Sequence, residues 1–536
     1  MPDDLSPESS DAVSADYETD KPNDPDRVPE EDRIPIGEKS AYAMGVVSDH
    51  FAQFGIQQFL LPFFNVVMGL SPAKVSLAMG FARLWDAIND PAVGSISDHW
   101  KSRFGRRRPF IFAGAVLTGI VFPLIWLVPA DWSEGQMFAW LTVALIVYYT
   151  SYSLLSVPYE SLGMELTQDY VEKTKLFTFR TYLMRVFDMG IWAMLPLATW
   201  LAALLADRQM AQDAVALVGE ALEEQKELLT TENLARTIPW VAVGCGIMIV
   251  LSGILPAFFC KERYAEVAQK QKGENPFKSV WSLLRNPPFM IVMGSIALYL
   301  LGLSSNAVLG FYVNTYYIEG GDVKSGAFLG LYHSLVGLVF GIMGAFIIEI
   351  LSKRIDKKPL IMGCVVVLFL AAASWWITYL PGRPYLTLVS RPFLTLAETG
   401  YWVLILSMRA DVADWDELKN GRRREGMIAA LGNWMIKLSI TLATVIGGVM
   451  LEYFVGFDAE LGGEQSPETL SLLRGTYIFT QMGTMVIVFF VLALYPLSRA
   501  KMAKVREELE ARHAAAEAEA ELETEIDAET PPDETA

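Results

Sequence analysis

The sequence predicts an all-α membrane protein with about twelve spans in two six-helix bundles. Three observations carry that prediction. Apolar blocks of crossing length recur along the chain, basic loops alternate with short or acidic ones, and one long polar connection divides the blocks in half. A helix needs about 20 mostly apolar residues to cross the hydrocarbon. By that measure spans fall near 41–67, 74–98, 109–129, 137–161, 176–206, 238–259, 288–316, 325–350, 358–380, 384–408, 426–454 and 475–497.

Composition agrees. The 536 residues are 52% hydrophobic with a mean hydropathy of +0.31, yet carry a formal charge of −18, a mixture rare in soluble enzymes. Much of the acid sits in residues 1–37 and 506–536, so it describes two tails rather than a binding surface. Both tails have too little apolar area to offset the entropy of ordering. The first, 1–37, is expected to be disordered. The second, 499–536, is expected to open as a charged helix over 501–521 with no continuous apolar stripe. The start of the chain shows no positively charged segment followed by a short apolar run, so no signal peptide is expected. Cys245, Cys260 and Cys364 lie in or beside apolar blocks and read as packing residues, neither a disulfide framework nor zinc ligands.

Orientation follows from lysine and arginine, which accumulate in cytoplasmic loops. Basic residues fill the loop after span two (Lys101, Arg103, Arg106, Arg107, Arg108) and every second loop after it, ending with Lys419, Arg422, Arg423 and Arg424. Both termini are therefore placed in the cytoplasm. The outer loop 207–237 is long, and its apolar spacing suggests a short amphipathic helix lying on the outer surface. The longest inner loop separates six spans, 38–260, from six more, 288–498, with a cytoplasmic linker over 261–287. Two bundles related by a repeat, with a solute site near the midplane, are the expected arrangement. GSISDHWKSRFGRRRPF after span two has a looser counterpart in EILSKRIDKKPL after span eight.

Span two carries Arg83, Asp86 and Asp90 where a charge costs at least a few kcal/mol, which makes them candidates for function. Asp86 and Asp90 are four residues apart and share a helix face about 12 residues into the span, near the midplane. Asn89 adds an amide oxygen. The set suits Na⁺, or a proton if one carboxyl is held up by its charged twin. A structural ion network with Arg83, Arg180 or Lys437 is the alternative. Pro91 frees a backbone carbonyl beside the pair. Lys437, about 12 residues into span eleven, also lies near midplane and requires an anionic or carbonyl partner. Arg185 and Asp188, three apart on span five, read as a buried structural bridge. Gly337, Gly341 and Gly344 on span eight suggest close helix packing.

GSISDHWKSRFGRRRP resembles the loop motif of the major facilitator superfamily. RLWDAINDP, SVPYESLGMELTQDYVEKTKLFTFR and RADVADWDELKNGRRREG resemble the glycoside-pentoside-hexuronide:cation symporters, the group containing melibiose permease, over residues 38–498. The resemblance implies a major facilitator fold in the plasma (inner) membrane. It makes Asp86, Asn89 and Asp90 ligands of the coupling cation, with Ser153 completing the site from span four, and sets Lys437 between cation and sugar. Arg180 would donate to sugar hydroxyls and Trp402 would stack on a sugar ring; Tyr152 and Asn433 join the pocket. Sugar-gripping members carry an acid on the first helix and another just before the proline of span four. Here those places hold His50, with Asp49 one step earlier, and Ser156, while Glu160 and Glu398 supply acids nearby. His50 stands open between a proton-sensitive role and hydrogen-bonded packing.

The basic loop reads as a conformational gate. Asp98 with Arg103, Arg106 and Arg107 clamps helix ends, and Glu165, Asp411, Asp414, Asp416 and Glu417 are placed to answer the arginines across the two bundles. The function expected is symport of a sugar or glycoside driven by Na⁺, held by Asp86 and Asp90, or by H⁺, with no other cofactor, by a monomer in the lipid bilayer. The alternatives are a carrier of a lysolipid or other amphiphile, and a non-transporting sensor. No nucleotide loop, metal-spaced His/Cys set or nucleophile motif supports an enzyme. Basic residues scattered over short membrane loops do not support nucleic-acid binding.

Overall fold

The computed structural model describes residues 33–100, 102–129, 131–167, 170–212, 220–262, 281–421, 425–458 and 461–512. The acidic tail to residue 32, linker residues 263–280, Lys101, Arg422, Arg423, Arg424 and the end of the chain from 513 lie outside them, with what the sequence predicts there. The described residues are helical throughout, joined by turns. In chain order the long helices are α1 (Ile36–Leu61), α2 (Pro72–His99), α3 (Arg108–Leu124), α4 (Glu134–Glu165), α5 (Tyr170–Gln212) and α6 (Glu220–Phe259), then α7 (Pro287–Tyr312), α8 (Val323–Ser352), α9 (Lys357–Ala373), α10 (Arg391–Asn420), α11 (Glu425–Val449) and α12 (Pro467–Ala493). Eight of these, α4 to α9 with α11 and α12, are long and apolar enough to cross a membrane. Of the rest, α3 is apolar but shorter, and α2 and α10 are interrupted by their own charges.

Helices α1 to α6 pack among themselves, as do α7 to α12, and the two bundles meet where α2 runs along α11 and α5 along α8. Glycines permit the closest approaches. A Cβ at Gly114 of α3 would stand 2.7 Å from Leu155 Cα, and one at Gly344 of α8 would stand 2.9 Å from the carbonyl oxygen of Leu396 on α10, the tight packing expected for that helix. Between bundles, a Cβ at Gly80 would meet Val445 at 2.7 Å, and one at Gly448 would meet the carbonyl oxygen of Pro72 at 2.8 Å.

The repeat is visible in the backbone. Helices α1 and α7 each end in a six-residue π-helical segment, Pro62–Val67 and Val313–Ile318. A glycine in the left-handed region follows each, Gly69 at φ 71° and Gly320 at φ 66°, where a Cβ would be strained. Helix α11 also ends in a π-helical segment, Met450–Phe454. All three lie at the end of the molecule opposite the basic loops.

Of the amphipathic helix expected within 207–237, residues 213–219 lie outside the described residues; on either side of them α5 continues to Gln212 and α6 begins at Glu220. Lys226 pairs with Asp207 at 2.9 Å and Asn233 donates to Gln209 at 2.8 Å, so these described helix extensions pack on each other. The first bundle starts before residue 38, because α1 begins at Ile36 and the backbone N–H of buried Ile34 donates to Glu172 at 2.8 Å. A helix over 499–512 does have an apolar stripe. Met502, Val505 and Leu509 are buried in the main core, because a spacing of three and four residues aligns them on one face.

Candidate functional site

Asp86 is fully buried in α2, and Asp90 lies one turn further along. Lys437 reaches across from α11 in the other bundle. Its ammonium donates to Asp86 Oδ2 at 3.1 Å and also contacts Asp90 Oδ2. Ser153 on α4 donates to Asp86 Oδ1 at 3.0 Å, within reach also of its own helix carbonyl at Tyr149. Arg83 is buried beside this group, 4.0 Å from Asp86 with its guanidinium 4.4 Å over the Tyr149 ring. Two carboxylates thus face two cationic side chains. Asp90 Oδ1 and the Asn89 amide nitrogen are buried with no hydrogen-bond partner, so Asn89 does not join the carboxylates through that nitrogen. Among the described residues no group of three or more His, Cys, Asp or Glu gathers as a metal site.

One residue before Ser153, Tyr152 turns to a second cluster and donates to buried Asp49 of α1 at 2.8 Å. Arg180 of α5 donates to Glu160 Oε2 at 3.2 Å, makes a second contact to Glu160 Oε1, and lies 3.9 Å from Asp49. Its guanidinium also faces the rings of Tyr159 at 5.3 Å and Phe177 at 5.9 Å. Its Nε is buried without a partner. Ser156 is buried on the same stretch of α4. His50 bonds Asp188 at 2.8 Å and packs edge-on to Phe54 at 4.7 Å. The buried Arg185–Asp188 bridge is corrected here: Arg185 is exposed, 4.0 Å from Asp188, whose carboxylate serves His50.

The second bundle contributes aromatic surface. Trp402 stands edge-on to Tyr299 at 5.8 Å, and Tyr299 stacks on Tyr401 at 4.3 Å. Glu398, one turn before Trp402, interacts with the Tyr299 hydroxyl. Asn433 is exposed one turn before Lys437 on α11.

At the basic end Asp98, Arg106, Arg107, Glu165, Asp411 and Asp414 have partners within their own bundles. Arg106 and Arg107 both contact Glu165, and Arg107 holds Asp98 at 2.7 Å. Arg103 is exposed and lies over Phe104 at 4.6 Å. In the other bundle Lys357 bonds Asp411 at 2.6 Å, while Arg506 of the 499–512 helix reaches Asp411 at 3.1 Å and Asp414 at 3.5 Å. Asp416 accepts from Asn286 at 3.1 Å, again inside the second bundle. At the opposite end the bundles touch, where Tyr312 donates to Asn65 at 2.6 Å and Glu452 holds Ser71 and Ala73. Sequence reasoning passes over Asn65, Tyr312 and Glu452, and over Arg409, two turns beyond Trp402 with its guanidinium against Gly432. Only a carboxylate at the end of an apolar span, in LEYF, marks Glu452 in the sequence.

Two bundles meeting at a charged midplane, with polar groups converging from both, define a secondary transporter of the major facilitator class. The chain matches the family described as MFS/sugar transport protein over residues 41–499 and belongs to it. It is 26% identical to an uncharacterized symporter of Synechocystis, covering 88% of this chain and 96% of that one. It is 24% identical to a glucuronide carrier protein homolog of Escherichia coli, covering 88% and 94%. These relatives place it among the glycoside-pentoside-hexuronide:cation symporters. Among solved structures, a bacterial homolog of the human lysosomal transporter Spinster, in an inward-facing, occupied conformation, shares the fold with a TM-score of 0.57 at 15% identity, covering 86% and 95%. The protein is a multi-pass membrane protein.

Proposed function

We propose that the protein is a symporter that couples entry of a cation, Na⁺ or H⁺, to uptake of a sugar or glycoside across the inner membrane. The observation that carries this reading is the bridge from Lys437 to Asp86 and Asp90. The ammonium occupies the place a coupling ion would take and balances the carboxylates while the ion is away. Arrival of Na⁺ or a proton at Asp90 and Asp86 displaces Lys437 and frees its donors for the solute. An unpartnered oxygen on Asp90 and the hydroxyl of Ser153 are the oxygens next in reach of an ion.

Consecutive residues of α4 supply the link between ion and solute. Ser153 bonds the cation cluster, while Tyr152 bonds Asp49 in the cluster held by Arg180. A shift of α4 on ion binding is therefore felt in both. Arg180, Glu160 and Asp49 offer donors and acceptors to hydroxyls, and Trp402 offers an indole face to the apolar side of a ring. The carboxylate acting as the cation ligand is chiefly Asp90, whose second oxygen is unspent.

The test is uptake of a panel of labelled sugars and glycosides by proteoliposomes under imposed Na⁺ or H⁺ gradients, with wild type against Asp90→Asn. Gradient-driven accumulation that the variant abolishes is expected. Uptake indifferent to both gradients, or unchanged in the variant, overturns the reading.

A further inference from the structure

Helices α2 and α11 touch at two levels. At the midplane Lys437 bridges Asp86 and Asp90. At the end opposite the basic loops, Glu452 accepts the backbone N–H of Ala73 at 2.9 Å and the hydroxyl of Ser71. Ser71 is the N-cap of α2, so a carboxylate from the other bundle satisfies donors that the first turn of a helix leaves free, at the positive end of its dipole. Between the two levels the helices are held close by Gly80 against Val445 and Gly448 against Pro72.

A second bond accompanies the first. Tyr312, fully buried at the end of α7, donates to Asn65, fully buried in the π-helical end of α1, whose amide also donates to the Leu70 carbonyl at 2.9 Å. Glu452 itself lies in the π-helical end of α11. Each bond thus has one partner in a segment where the regular helix has given way, Glu452 in one and Asn65 in the other, and both tie bundle to bundle at the end opposite the basic loops.

We infer that Glu452 is a positioning residue for transport: with Asn65–Tyr312 it latches the outer ends of the bundles shut, and α2 and α11 carry the state of the cation site to that latch. Displacement of Lys437 loosens the same helix pair at its middle that Glu452 fastens at its end. The latch therefore sets how readily the carrier returns to face outward. This rests on the symport reading for its meaning in transport, but the latch itself is measured without ion or solute.

The test uses the full chain with spin labels at two exposed outer positions, Asp131→Cys in the first bundle and Leu461→Cys in the second; the three native thiols are buried. Electron-electron distance measurement is expected to show one short outer separation in the parent. Glu452→Ala is expected to raise the ratio of long to short separations about tenfold, the size of one lost bond to a charged acceptor. Tyr312→Phe adds to that shift, and Glu452→Gln, which keeps an acceptor for Ala73, gives a smaller one. Glu464→Ala, an exposed acid at the same end, leaves the distances alone. Unchanged separations in Glu452→Ala and in Glu452→Ala with Tyr312→Phe overturn the inference. Longer separations together with uptake indifferent to ion gradients leave the latch standing and remove the symport reading instead.

Discussion

The ammonium of Lys437 stands 3.1 Å from Asp86, a residue 351 positions away in the other bundle, and that contact closes the middle of the protein. Removing the lysine leaves the buried Asp86 and the half-buried Asp90 with Arg83 as their neighbouring cation. Lys437→Ala is expected to bind Na⁺ or protons about tenfold more tightly, because no side chain competes for the site, while gradient-driven accumulation falls by at least about tenfold. Ion titration by intrinsic fluorescence alongside uptake checks both. Unchanged ion affinity would mean that Lys437 does not occupy the ion's place.

Ser153 gives Asp86 one hydroxyl hydrogen bond in a buried setting. Ser153→Ala removes a donor without adding volume, and about 1 kcal/mol is at stake. Half-saturation for the coupling ion is expected to rise about fivefold, with thermal unfolding nearly unchanged. Ser153→Thr, which keeps the hydroxyl, is expected to retain most of the affinity.

Arg180 holds Glu160 and lies near Asp49. Arg180→Ala leaves partly buried acids without their cation, so loss of stability and loss of uptake are both expected. The two effects separate in Arg180→Ala with Glu160→Ala, which restores the thermal midpoint but not transport. Recovery of uptake in the double variant would assign Arg180 to scaffolding alone.

The helix over 499–512 is fastened by Met502, Val505 and Leu509 and by Arg506 on Asp411 and Asp414. Val505→Asp is expected to detach it, destabilising the second bundle by ~2 kcal/mol or more through lost apolar burial and a stranded charge. Glu507→Ala, on the exposed face, serves as the control and should leave the detergent melting curve in place.

The helices are legible in the sequence because apolar blocks of crossing length have few other uses. The midplane charges are legible for the opposite reason: Asp86, Asp90 and Lys437 are too costly in lipid to stand without purpose. Glu452 gives no such signal, since a carboxylate at the end of a span costs little and its partners Ser71 and Ala73 lie at the far end of the chain sequence. The stripe on 499–512 is hidden because three apolar residues are diluted by charged neighbours, and only packing against the second bundle selects that face. Of the gate residues that the sequence places at helix ends, Glu165 closes α4, whereas Asp411 lies inside α10, which runs on to Asn420 because the charged stretch after the apolar block stays helical. In this state they are bound to their own side.

Gly80 and Gly448 leave Val445 and Ser76 of the facing helices packed directly on backbone, so any bulk added at either glycine acts as a wedge. A Gly448→Leu protein should be driven toward the outward-open shape regardless of ion or sugar, offering a trapped form against which conformation-selective antibodies can be raised.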